Sequence, residues 1–440
     1  MNSKLIDKVI HLTKQIHLNE PEDGHALVEK FMTGKRPILG FGMEWWITHR
    51  VFECCEDIAD IAISFDPQLE GGDKESFSKI IRETLRENAI NPKLFTDEGL
   101  FFKTASTLFE ARAIENPKEF ASHLWNEIHS NLANSLVKWL TMYPLPLVKT
   151  DSFILGFDNL TLLRANDEQQ WKKLSENYDE SQYWMPTTGT WTNGISNHTN
   201  KDFLFSQTWL VCEASGTASG ARSLAGDNMR TFIAILCSYL DDKMPNLLTK
   251  SGAEITSYSI QFPDDASRAG CGSISAGIGN LFPPLLVDNC LHISPDILSK
   301  IQSWYELRSN ASDLAAQRAT TAAHFIHYGI ISNELERFIH FFIALDALFG
   351  EHKNVEKNLK EGIRKTFPGH IDWEERTDKL FKLRNELVHG GISSIKRWDD
   401  LDHYRKHFKS HPMKDIQTAA MTALRFYFSN QIFEHLFGKY

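Results

Sequence analysis

The stretch Leu380-Phe381-Lys382-Leu383-Arg384-Asn385-Glu386-Leu387-Val388-His389-Gly390-Gly391 decides how the last third of this chain is read. Leu380, Leu383, Leu387 and Val388 recur at helical spacing and predict a face turned toward a bundle core. The glycine pair predicts where the helix stops, because a left-handed residue commonly ends a helix and glycine adopts that conformation without a Cβ clash. His389 then lies in the last turn, where the negative end of the helix dipole favours imidazolium. A histidine titrating near neutrality suits proton transfer. Arg384 lies five residues earlier, about 7.5 Å along the axis and about 140° around it. Asn385 and His389, at i and i+4, share a stripe that Arg384 does not. One helix alone converges the three poorly. Two such helices facing each other across a dimer would gather both sets around one phosphate.

The surrounding sequence, roughly 293 to 440, reads as all helix. Ser294-Pro295-Asp296 opens one helix with a capping serine and an N1 proline. Leu314 to Ile330 is an alanine-rich helix. Asn333 starts another, with Phe338, Phe341, Phe342, Leu345 and Leu348 on a broad apolar face ending at Gly350. Helices over Asn354 to Thr366, Trp373 to His389 and Met413 to Phe437 follow.

Leu383-Arg384-Asn385-x-Leu387-Val388-His389-Gly390-Gly391 resembles the signature helix of HEPN domains, and is most similar to the Apea-like HEPN group. The helix Phe338 to Gly350 also suits that group, whose members often carry an acidic residue where Asp346 stands. The resemblance covers about the last 150 residues. The family pattern is an arginine, a polar residue, and a histidine four to six residues after the arginine; Arg384, Asn385 and His389 match it residue by residue. The resemblance implies metal-independent RNA cleavage by a homodimer formed through the C-terminal helical domain. The 2′-hydroxyl attacks the adjacent phosphate, leaving 2′,3′-cyclic phosphate and 5′-hydroxyl ends. His389 is then the general acid or base, Arg384 stabilises charge on the phosphorane, and Asn385 orients the histidine or the phosphate. Many such proteins are toxins or anti-phage effectors, and some keep the fold without catalysis. The competing reading is therefore a non-catalytic HEPN-like scaffold that dimerises or docks a partner. For Asp346 a structural salt bridge to an interior arginine is the plainer reading, with support of the site as the alternative.

Lys382 and the segment carrying Lys396, Arg397, Arg405 and Lys406 are the expected RNA contacts, with Trp398, Tyr404 and Phe408 interleaved for stacking on bases. Asp399, Asp400 and Asp402 dilute that patch, and a solvated face competes with it. His403, His407 and His411 stand four residues apart. Ser410 and Pro412 end the helix before a metal stripe forms, so neither metal nor cofactor is expected.

Further out, residues 144 to 292 are strand-rich. Ser152 to Leu155, Leu160 to Leu163, Phe203 to Cys212 and Ile255 to Phe262 are short runs of β-formers. Turn chemistry at Asp158-Asn159, Thr187 to Gly189, Asn193-Gly194 and Asp264-Asp265 separates them. A helix over Asn228 to Leu240 packs on the sheet. The glycine-rich run Gly270 to Gly279 lacks the lysine of a phosphate loop and reads as loop or tight turns. Residues 1 to 143 read mainly as helix: Leu5, Val9, Leu12 and Ile16 on one face, Phe77, Ile80, Ile81 and Leu85 on another. Phe120, Leu124, Ile128, Leu132, Leu136 and Leu140 trace a helix that Pro144 and Pro146 end. Trp45 and Trp46 read as core, beside a conspicuous Glu44.

The expected class is α+β: a helical C-terminal bundle behind a mixed region with a mainly antiparallel sheet, in three parts, 1–143, 144–292 and 293–440. The whole chain has 440 residues, 42% hydrophobic and 24% charged, and a net charge of −10. That composition excludes a disordered or collagen-like chain. No apolar run long enough for a spanning helix or a signal peptide is read, so the protein is expected in the cytoplasm and off the membrane. Six cysteines without a C-x-x-C pair make neither a disulfide framework nor a zinc site. The net charge argues against nucleic acid until it is divided: residues 293–440 carry +2 and the preceding 292 carry −12. The acidic front is expected to sense a phage-derived or other trigger and to keep RNA from the site until then.

Overall fold

The computed structural model describes residues 3–21, 27–32, 42–90, 106–112, 115–145, 148–178, 206–240, 256–269, 273–278, 290–351, 354–370 and 372–428. The strands among them are β1 (Ile16–His17), β2 (Leu27–Met32), β3 (Gly42–Ile47), β4 (Val137–Leu145), β5 (Val148–Lys149), β6 (Phe153–Ile154), β7 (Leu160–Arg164), β8 (Thr208–Gly216), β9 (Thr256–Pro263), β10 (Ser273–Ile278) and β11 (Leu291–His292). The helices are α1 (Ser3–Lys14), α2 (His49–Phe65), α3 (Lys74–Ile90), α4 (Leu108–Arg112), α5 (Pro117–Ser135), α6 (Glu168–Ser175), α7 (Ala218–Leu240), α8 (Ala266–Ala269), α9 (Pro295–Ser309), α10 (Asp313–Ile331), α11 (Glu334–Phe349), α12 (Val355–Thr366), α13 (Asp372–Val388), α14 (Leu401–Phe408) and α15 (Pro412–Phe426). The class is α+β, and every described element after residue 292 is helical.

Two compact units form. One comprises 1–140, 214–224 and 262–272, the other 141–213, 225–261 and 273–440. The first buries Leu5, Val9, Leu12, Cys55, Ile58, Phe77, Ile81, Leu124, Ile128 and Leu132 in a helical core. It also holds a three-stranded antiparallel sheet, ordered β1-β3-β2, in a region expected to be mainly helix. Its strands are short, and Trp45 binds across one pair, its Nε1 donating to Glu29 Oε2 at 2.9 Å. Trp45 and Trp46 are buried, as read from sequence.

The helix expected to run on to Pro144 stops at Ser135, and residues 137–145 are strand β4 instead. Arg268 accounts for the stop. Its Nε donates to Asn134 O at 3.1 Å and its Nη2 to Leu136 O at 3.2 Å, satisfying carbonyls that a longer helix would use itself. Leu136 and Leu140 fit a helical repeat because β4 is buried on both faces except at Lys138. A strand covered on both sides is continuously apolar and matches any period. A second correction concerns the glycine-rich run: Ser273–Ile278 is not loop but β10, paired antiparallel with β9.

The sheet of six strands is ordered β10-β9-β4-β8-β7-β6, and its β6–β7, β7–β8 and β9–β10 pairs are antiparallel. Asp158 and Asn159, both at φ 51°, make the tight turn between β6 and β7 that their residue types predict. The helix read over Asn228 to Leu240 begins ten residues earlier, at Ala218. The turns at 187–189 and 193–194, Phe203, and the end of the expected last helix at Phe437 lie outside the described residues.

In the second unit one core runs from sheet residues Leu160 and Leu210 through Phe232 and Leu236 of α7 to Trp304, Phe341, Leu345, Leu383 and Leu424 of the helices. The strand-rich middle and the helical third therefore share a single interior there. Trp304 Nε1 donates to Leu424 O at 3.0 Å, and Tyr427 Oη to Leu348 O at 3.3 Å, so the buried ring donors bind helix-end carbonyls. The cap expected at Ser294 is in place, its Oγ accepting from Ile297 N–H at 3.4 Å, and Asn333 precedes the next helix as read, though its side chain makes no cap bond.

Candidate active site

Helix α13 presents the site, and its first three turns anchor it. Trp373 stacks on Phe367 with ring centres 4.0 Å apart, and Phe381 meets Phe342 edge-on at 4.9 Å. Leu380, Leu383 and Leu387 are buried, as their spacing predicts. Arg376 Nη1 donates to Asp415 Oδ2 at 2.7 Å, and its Nη2 to Phe408 O at 3.2 Å. Asp415 is itself buried, and it also accepts from Tyr404 Oη and Ser410 Oγ, each at 2.6 Å. Burial and the adjacent Asp415 push the Tyr404 phenol far above its ordinary value. This network ties α13 to α14 and α15. Sequence reasoning missed it because its members are distributed over 39 positions and follow no local period.

The helix ends as the glycine pair predicts. Gly390 is left-handed, at φ 76°, and Gly391 N–H donates to Glu386 O at 2.8 Å, the six-to-one bond of a glycine-terminated helix. A Cβ at Gly390 would meet nothing within 4 Å, so the backbone angle alone calls for glycine.

Three side chains remain at this end. Arg384 is half-exposed, while Asn385 and His389 are exposed. Arg384 Nη1 donates to Asn385 Oδ1 at 3.0 Å. The guanidinium thus pairs with the adjacent Asn385 amide, which lies on the same stripe as His389. Val388, read from its spacing as a core residue, is instead 49% exposed at the helix end.

Asp346, on α11, lies within electrostatic range of this group. Burial raises its carboxyl above the ordinary 3.8, more than the nearby Arg384 and Arg318 lower it. Gly350 makes room for it, since a Cβ there would fall 1.9 Å from Asp346 Oδ1. Arg318 Nη1 binds Gly350 O at 2.9 Å. An open cleft of about 450 Å³ runs past Arg318, Thr321, Phe325, Ile343 and Asp346. Phosphate chemistry has suitable groups here: a guanidinium, an amide and an accessible imidazole at one helix end, with a carboxylate behind the arginine.

The expected RNA contacts divide. Lys382 is engaged, with Nζ 2.9 Å from Asp400 Oδ2, and that bond raises its ammonium above the ordinary 10.5. Asp400 in turn is lowered by Lys382 and Lys379. Lys396, Arg397, Arg405 and Lys406 are exposed. The aromatics expected to stack on bases do not face solvent. Trp398, Tyr404 and Phe408 are all buried in the core, because their spacing is that of the inner faces of the 395–397 turn and of α14. The exposed basic residues therefore have no exposed aromatic among Trp398, Tyr404 and Phe408 beside them. His403 and His407 stack at 5.9 Å, His407 Nε2 lies 3.1 Å from Glu375 Oε2, and His411 caps α15, its Nδ1 accepting from Met413 N–H at 3.2 Å. Among the described residues no group of three His, Cys, Asp or Glu side chains is arranged to hold a metal ion. No helix among them is long and apolar enough to cross a membrane.

Comparison with family models, with curated proteins and with solved structures found no match.

Proposed function

We propose that this protein is a metal-independent endoribonuclease of the HEPN type, acting in the cytoplasm as a toxin or anti-phage effector under the control of its acidic front region. The supporting observation is the end of α13, where the half-exposed Arg384 guanidinium binds Asn385 one turn before an exposed His389, on a helix whose other face is packed through Trp373, Leu380, Phe381, Leu383 and Leu387. His389 takes the proton from a ribose 2′-hydroxyl as that oxygen attacks the adjacent phosphorus. Arg384 binds the oxygens that gain charge in the phosphorane, and its planar fork suits two of them at once. Asn385 holds the guanidinium in place. The departing 5′-oxygen needs a proton from a second acid, and His389 of a second copy meets that need, which makes the active species a homodimer through the helical bundle. The products are a 2′,3′-cyclic phosphate and a 5′-hydroxyl.

The test is cleavage of total RNA by the purified full-length chain in EDTA. Arg384→Ala and His389→Ala are each expected to lower the rate at least about 100-fold, the ordinary contribution of one charge-stabilising donor and of a general acid or base respectively. Cleavage retained in both variants would overturn the reading and leave a bundle that only dimerises or docks a partner.

A further inference from the structure

A second cavity, of about 540 Å³, opens beside the parallel ladder of β5 and β11, far in sequence from α13. Its wall includes Lys149, Thr150, Asp151, Arg164, Asn166 and His292. Lys149 and His292 are register partners across that ladder, and partners in a ladder project to the same face. Arg164, the last residue of β7, lies on the same wall, and Asp151 is the one acid among the described residues lining the cavity. Three cationic or protonatable groups therefore converge in a stretch of chain whose balance is −12 over 292 residues. Asp151 Oδ1 holds Arg164 Nη1 at 3.3 Å, but Arg164 is about half exposed and Asp151 largely so, so the pair is weak and leaves Arg164 available to a stronger anion. The Thr150 hydroxyl is shielded from solvent and has no hydrogen-bond partner among the described residues, a state that a bound ligand or ordered water normally relieves.

We infer that this cavity binds a nucleotide, with its phosphates against Lys149, Arg164 and His292 and its base edge against the Asn166 amide. The cavity has the size of a small-molecule site. A bare inorganic anion uses only the basic side of the cavity. The amide of Asn166, both donor and acceptor, matches the mixed edge of a base. None of these residues belongs to the α13 group, so the inference stands independently of the ribonuclease reading.

The experiment is isothermal titration calorimetry of the full-length chain with ADP, GDP, CDP and UDP, and with sodium phosphate alone. At least one diphosphate is expected to bind, and phosphate alone at least ten times more weakly. Combining Lys149→Ala with Arg164→Gln is expected to weaken that nucleotide at least tenfold. Asp151→Asn is expected to tighten it, a gain that damaged folding cannot imitate. No heat from any diphosphate, unchanged affinity in the double variant, or phosphate binding as tightly as the nucleotide would each overturn the assignment.

Discussion

The two ends of α13 treat their polar residues in opposite ways. Near its start, Arg376 is drawn inward to the Phe408 carbonyl and to Asp415, which Tyr404 also binds, so its polar partners come from two other helices. At its finish, Arg384, Asn385 and His389 face solvent, and the guanidinium binds only the neighbouring amide among the described residues. Both ends carry an arginine on one amphipathic helix, so residue type does not separate them. The difference lies in what the facing helices supply, and it predicts that one end is needed for folding and the other is available for chemistry.

The largest effect should come from breaking the inward end. Asp415→Ala removes the buried carboxylate that Arg376 Nη1 and Tyr404 Oη bind, and leaves the largely buried guanidinium only the half-exposed Asp372 and the Phe408 carbonyl. Truncating one partner of a buried pair costs about 3–5 kcal/mol, against a total stability of about 5–15. Urea denaturation should show a lowered midpoint, or little soluble protein. A change below about 1 kcal/mol would mean that the network is not what anchors α13. Next in size is the junction beyond the outward end. Gly390→Ala meets no steric neighbour, so its cost is the left-handed backbone alone, about 1–2 kcal/mol. Gly390→Asn should cost less, because asparagine tolerates that region better. Equal losses in the two would put the requirement elsewhere than in φ.

The same contrast explains what could be read from sequence. The helices after residue 292 were legible from caps and apolar spacing, since Ser294 and Gly390 act within one turn of where they stand. So were the β6–β7 turn at Asp158-Asn159 and the buried Leu380, Leu383 and Leu387. What local pattern could not carry was set by distant partners. Arg268 ends α5 from 134 residues away, β4 looked helical because it is buried on both faces, and β10 becomes a strand only by pairing with β9. Within the candidate site the triplet was legible, but not the turn of Arg384 toward Asn385, which depends on rotamer rather than spacing. The basic segment was misread for the opposite reason: Trp398, Tyr404 and Phe408 do have helical-core spacing, but their basic neighbours drew attention to the outer face.

A pH scan sharpens the comparison at a third place, the start of α15. His411 caps that helix through Nδ1, which can accept from Met413 N–H only when unprotonated. Burial first, then Arg405, lower the His411 pKa below its ordinary 6.5. In the window beneath 6.5 the unfolded chain binds a proton that the folded chain refuses, so stability is full above that value and falls as the pH falls. The loss should not exceed the worth of one cap, about 1 kcal/mol. Thermal melts between pH 7.5 and 5.5 should show it, and His411→Asn, which keeps a capping oxygen without a titrating ring, should flatten that part of the profile.

The smallest expected effect is also the most discriminating. Arg384→Ala and His389→Ala remove side chains that bind no other helix among the described residues, so each should change stability by no more than about 0.5 kcal/mol, the range of ordinary surface substitutions. Arg384→Ala carries one further consequence. It removes an attraction that offsets the burial of Asp346, whose pKa should then rise further above 3.8. A raised carboxyl pKa means that the folded chain holds a proton which the unfolded chain has already lost, so stability declines as the pH climbs through that window. The Arg384→Ala variant should therefore fall slightly behind the wild type at neutral pH and match it in acid, and Asp346→Asn should remove the difference. If instead either substitution costs more than about 1 kcal/mol at every pH, the outward end is structural like the inward one, and its arginine and histidine lose their claim to a chemical role.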